Sequence, residues 1–190
     1  VWKAAANQSG KADLKMGLGE VGASELATKI AGGKVPVAHM HNHGGVAGTA
    51  QPVTPNLGPM VSPEKLTPKQ VAQVIAHMIA DWVVSNHDAH AGQFGIDANG
   101  DVIGFDKGQA FKFFDGDTVS SHFANKGQGE PSWLTPAFFG PGNFGHSYYG
   151  ALEEAIKAGK VTFDPQDPII TSALAASKAI TIEEVTSALK

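Results

Sequence analysis

Residues 81–111 read DWVVSNHDAHAGQFGIDANGDVIGFDKGQAF, and the reading of this stretch decides the fold. Helical apolar spacing runs up to Trp82, Ser85-Asn86 breaks it, and a polar loop follows. Phe94–Asp97 and Val102–Asp106 then predict two short strands around Ala98-Asn99-Gly100-Asp101, a favourable hairpin turn. Three side chains with hard oxygen donors fall at telling places: Asp88 in the loop, Gln93 five positions on, and Asp106 thirteen later at the end of the second strand. A loop Asp, an amide five residues beyond it and an Asp delivered by a hairpin make the layout of a phosphoryl-transfer site. Asp88 would accept the proton of an attacking hydroxyl. Gln93 and Asp106 would hold Mg²⁺, which favours carboxylate oxygen together with substrate phosphate. His90, two residues after Asp88, would stabilise charge on the transferred group.

Outward from this stretch, Thr67-Pro68 opens the clearest helix, with Thr67 as N-cap and Pro68 at the first helical position. Val71, Val74, Ile75, Met78, Ile79 and Trp82 form its apolar stripe. Upstream, the spacing predicts a strand over Val1–Ala6, a loop over Asn7–Gly19 and a helix over Glu20–Ala31 stopped by Gly32-Gly33. A strand over Val35–Met40, a turn at Asn42–Gly45 and a strand over Val46–Val53 follow. Pro52, Pro55 and Pro59 then mark an irregular connector. Downstream, the chain reads as loop from Phe114 to about Tyr148. Helices are predicted over Leu152–Ala158, Asp167–Ser177 and Ile182–Leu189, with Glu183 and Glu184 in the first turn of the last.

The 190 residues suit one domain or one large lobe with part of a second. A hydrophobic content of 42% against 17% charged residues is that of a globular chain. The net charge of −4 carries no basic footprint for nucleic acid. All fourteen basic residues are lysines, so bidentate guanidinium–phosphate forks are missing. Cysteine is absent, which excludes disulfides and thiolate metal sites. No apolar run is long enough to cross a membrane, no secretory signal is visible, and the expected location is the cytoplasm. The opening VWKAAA lacks an initiator Met and reads as a processed product or a piece of something longer.

The central stretch resembles the catalytic and metal-binding loops of the phosphatidylinositol 3- and 4-kinase-like family, a divergent branch of the protein-kinase fold. The likeness is that of a divergent bacterial or phage-type member. That family has a Gly-Asp-Arg-His-x-x-Asn loop and then an apolar-Asp-x-Gly-x-x-Phe strand end. Here stand Asn86-His87-Asp88-Ala89-His90-Ala91-Gly92-Gln93 and Phe105-Asp106-Lys107-Gly108-Gln109-Ala110-Phe111. Gly19-Glu20-Val21, Val35-Pro36 and Gly48-Thr49-Ala50-Gln51 are similar to the family's helix, strand and hinge succession. The resemblance implies an α+β, kinase-like fold with a small truncated N-terminal lobe over residues 1–55 and a mainly helical C-terminal lobe over 56–190. It implies ATP and Mg²⁺ as cofactors and an unidentified hydroxyl acceptor, whether protein, lipid or small molecule. Lys3 would grip the α- and β-phosphates with Glu20 as its helix partner, Glu25 being the competing one. Gln51, Pro52, Val53 and Thr54 would form the hinge that meets adenine. The departures are Ala89 for Arg, Gln93 for Asn, Lys107 where a small or apolar residue is commoner, and no glycine-rich phosphate loop ahead of the lysine strand.

Two other readings stand beside this one. The chain is alternatively a kinase-fold interaction or structural module without turnover, favoured by Ala89 and the missing glycine loop. It is alternatively a His-rich metal-binding protein, because His39, His41 and His43 alternate and would share one face of a strand. Asn42–Gly45 reads as a turn, in which that alternation would lapse. The aromatic run from Trp133 to Tyr149 reads as an ordered or substrate-facing loop.

Overall fold

The computed structural model describes residues 1–5, 13–86, 89–111 and 148–189, a mixed α+β chain with two small antiparallel sheets. Asp88, His87 and most of the aromatic run from Trp133 lie outside the described residues. Strand β1 (Trp2–Ala4) leads to helix α1 (Leu14–Ile30), then strands β2 (His39–His43) and β3 (Val46–Ala50). Their sheet has the order β1-β3-β2. A short strand β4 (Gly58–Pro59) pairs with β5 (Phe94–Ile96), which pairs with β6 (Val102–Gly104), giving the second sheet. Between them runs α2 (Pro68–Val83), and the chain continues through α3 (Tyr148–Lys157), α4 (Pro168–Ala179) and α5 (Ile182–Ala188).

Helix α2 is the axis of the core. Thr67 and Gln70 form a capping box and Pro68 opens the helix, as the sequence predicts. Val71 and Val74 pack with Phe94, Val102, Tyr148, Tyr149 and Leu152. Ala72, Ala76, Ile79 and Ala80 pack on another side with α1 residues Ala27 and Ile30 and with Ile170 and Ala173 of α4. A helix buried on two sides leaves little polar surface. Trp82, read as part of the apolar stripe, is nevertheless 53% exposed because it falls on the remaining open side.

The largest departure from the sequence reading is α1. It starts at Leu14, capped by the Asp13 carboxylate, and runs through residues expected to be loop. Gly17 and Gly19 fall in the span read as loop, Asn7–Gly19. Gly17 and Gly22 are close-packing positions: a side chain at Gly17 would meet the Ala5 methyl and Met40 sulfur at 3.1 Å, and one at Gly22 would collide with the Ala188 carbonyl of α5. The missing side chains let the sheet and α5 approach α1 closely, which outweighs glycine's poor helix propensity.

The first sheet also shifts. Val35 and Ala38 are buried in a connector rather than a strand, and β2 begins at His39. Only Gly44 and Gly45 form the tight turn, both at positive φ, so the ladder continues through His43 paired with Val46. Strand β3 ends at Ala50, and Val53, read as strand, is exposed in the connector. Helix α3 begins at Tyr148, four residues before the expected start. No helix among the described residues is long and apolar enough to cross a membrane.

Candidate functional site

The register of the first sheet determines which side chains face α1. Lys3 pairs with Thr49 across the β1–β3 ladder, and both turn towards the helix. There the Thr49 hydroxyl donates to Glu20 Oε2 at 2.7 Å, and Lys3 Nζ stands 2.8 Å from Glu20 Oε1. Of the two candidate partners, Glu20 and Glu25, it is Glu20 that meets the lysine. That contact is a close ion pair. Glu20 is 2% exposed, and a carboxylate so deeply buried depends on such a cation.

Lys3 Nζ also donates to Asp106 Oδ1 at 2.5 Å, joining residues 103 positions apart. Burial draws the Lys3 ammonium down, but hydrogen bonds to Asp106 and Glu20, and their charges, outweigh it, so its pKa stands above that of an ordinary lysine. A side chain at Gly108 would come 3.0 Å from the Lys3 ammonium, so glycine keeps that approach open. Asp106 sits just past β6 at φ +53°. Ser85 and Phe111 share this left-handed backbone, and the Phe111 amide donates to the Val84 carbonyl at 3.1 Å. Among the described residues, three of the four non-glycine positions with positive φ thus lie in the 85–111 stretch, and such strain gathers at functional sites.

Gln93 is buried, and its carbonyl accepts from the Phe105 amide at 3.0 Å, which puts it across from the residue preceding Asp106. His90 caps the short 3-10 turn Ala91–Gln93, its Nδ1 accepting from the Gly92 amide at 3.0 Å. Its Nδ1 is therefore committed to the backbone. Asn86 is buried with both carboxamide atoms lacking a partner among the described residues, a cost that a folded chain seldom leaves standing. Gln51 has a competing use: its amide donates to the Val1 carbonyl and its side chain donates to the Pro36 carbonyl at 3.1 Å. Pro52 has no N–H to donate.

Sequence reasoning missed a second set of charges beneath the site. Lys107 is fully buried, and its Nζ stands 2.6 Å from Oδ1 of Asp81, itself 1% exposed. The Tyr149 hydroxyl donates to Asp81 Oδ2 at 2.6 Å. The only sequence signal was Lys107 itself, the charged departure beside Asp106; Asp81 stood unmarked near the end of an apolar helix. His77 lies close by. Its Nε2 bonds the Val102 carbonyl at 3.1 Å, and burial, then the charge of Lys107, pushes its pKa down to about 4.

The alternation of His39, His41 and His43 does not lapse in a turn, since all three lie on β2 and are exposed. The His41 and His43 rings are 6.5 Å apart between centroids. Among the described residues no group of three or more His, Asp or Glu is gathered to hold a metal.

No protein-family model matches this chain. No curated protein matches it at a significant level.

Proposed function

We propose that this chain binds a nucleoside triphosphate with Mg²⁺ and transfers its phosphoryl group to a hydroxyl acceptor, using a kinase-like arrangement of two lobes over residues 1–55 and 56–190. The observation that carries the reading is the convergence of Lys3, Glu20 and Asp106, with contacts of 2.8 and 2.5 Å. A cation held by a buried carboxylate and facing a half-exposed Asp suits a phosphate on one side and a metal on the other.

The donor set fits a hard cation. Asp106 and Gln93 offer carboxylate and carboxamide oxygen, the chemistry Mg²⁺ takes alongside phosphates. When bound, the ion would neutralise charge on the phosphates. The chain's own residues do the rest. Glu20 and Thr49 hold Lys3 in place, so its ammonium reaches a phosphate oxygen without searching for it. Buried Gln93 is tied through its backbone to Phe105, which sets its spacing to Asp106. Asp88 would take the acceptor's proton.

The test is ATP turnover by the full chain with Mg²⁺. Loss of turnover in Lys3→Met, Asp88→Ala and Asp106→Ala, each still folded, is expected. Turnover that survives Asp106→Ala would refute the proposal. A second reading, nucleotide binding without turnover, is favoured by Ala89, which is buried where the resembled family has an arginine. It expects Mg²⁺-dependent binding with no product.

A further inference from the structure

Asp106 and Lys107 are neighbours in the chain but point into opposite surroundings. The Asp106 carboxylate reaches the half-exposed Lys3, while Lys107 runs into the core. There its ammonium meets Asp81 of α2 at 2.6 Å and lies 5.9 Å from the centre of the Phe94 ring of β5. Asp81 is in turn held by Tyr149 of α3. Three elements therefore fix one side chain. The Lys107 carbonyl accepts from the Ala110 amide at 2.9 Å, which closes the turn after it.

Two costs are present here. A buried ion pair is usually no more stabilising than apolar side chains of the same volume, because desolvation offsets the attraction. A left-handed Asp is mildly strained. An apolar anchor at 107 would hold the loop to the core at least as firmly. What an ion pair adds is direction: its short contact, made to a carboxylate already held by Tyr149, fixes how far residue 107 enters and which way the preceding peptide faces.

We propose that Lys107, through its buried pair with Asp81, is the positioning residue that holds Asp106 in its left-handed conformation and aims the carboxylate at Lys3. This deepens the functional reading, and it rests on Asp106 being the metal-facing carboxylate. Lys107 would act only through Asp106 and touch no substrate.

The experiment uses the full chain carrying Lys107→Met with Asp81→Leu, a pair that removes both charges and leaves neither buried alone. Two readouts are taken. One is the Lys3 Nζ–Asp106 Oδ1 distance in crystal structures of the parent and the variant. The other is ATP affinity with and without Mg²⁺. The double variant is expected to fold, to open the Lys3–Asp106 contact beyond hydrogen-bond reach, and to lose about tenfold or more in the affinity gained from Mg²⁺, the worth of one charge-assisted contact. A folded double variant with the Lys3–Asp106 contact kept and the full Mg²⁺ gain would overturn the proposal. Should the double variant not fold, Tyr149→Phe loosens Asp81 without stranding a charge. The same two changes, smaller, are expected of it, and no change in either overturns the proposal. If the parent chain binds no nucleotide, the functional reading fails, but the Lys3–Asp106 distance still decides whether Lys107 aims Asp106.

Discussion

His77 ties the stability of this chain to pH in a way that can be worked through. The ring is 1% exposed, in edge contact with Phe94, and faces the Lys107 ammonium. Burial first, and Lys107 second, lower its pKa from 6.5 to about 4. The folded pKa lies below the unfolded one. The unfolded chain therefore takes up a proton between these two values while the folded chain resists it. The stabilisation is complete above pH 6.5 and is lost as pH falls towards 4. Integrating the two titrations from pH 8 to pH 5 gives a loss of about 2 kcal/mol from this one residue. For a chain of this size that is a fall of about 4–8 °C in Tm. Other groups titrate in the same window, so the quantity to measure is a difference. His77→Gln keeps a donor for the Val102 carbonyl and removes the titration. Urea unfolding of both proteins at pH 8 and pH 5 should show the parent losing about 2 kcal/mol more than the variant. Parallel losses in the two proteins would mean that His77 is not held neutral, and the packing described around it would be wrong.

Three further outcomes test the fold. Gly22→Ala should destabilise by about 1–3 kcal/mol, since its methyl meets the Ala188 carbonyl, and should loosen α5; an unchanged Tm would contradict that close approach. Thr67→Ala removes one half of the capping box of α2 and should cost about 1 kcal/mol by chemical denaturation, whereas no loss would mean the cap is idle. Asp101 accepts from Lys34, Lys69 and Gln73, which hold its carboxyl well below the usual carboxylate range. Its contribution is therefore present above the ordinary Asp pKa and fades as pH drops below it. Asp101→Asn should flatten that acid-side fall in stability, and a curve that overlays the parent's would remove Asp101 as its source.

The parts legible in the sequence were those with a local cause. Thr67 and Pro68 announce α2, and Asn99-Gly100 announces the β5–β6 hairpin, because capping and turn chemistry act within a few residues. The glycines of α1 misled, since their role is set by Ala5, Met40 and Ala188, which come near only when the chain is folded. The histidine strand misled in the same way: two glycines sufficed for the turn, and the ladder carried His41 and His43 into β2. At the site, spacing selected Asp106, while Lys3 and Glu20 were named only through the family resemblance, and the structure brings the three together. Asp81, Lys107 and Tyr149 could not be paired from sequence, because nothing in their spacing links positions on a helix, a turn and a distant helix.

The most direct measurement is calorimetric titration of ATP into the full chain, with and without Mg²⁺, for the parent and for Asp106→Asn, a change that keeps volume and removes charge. The expected result is binding that Mg²⁺ strengthens about tenfold or more in the parent, with that gain gone in the variant. Binding indifferent to Mg²⁺ in the parent, or a gain undiminished in Asp106→Asn, would contradict a site built on Lys3, Glu20 and Asp106.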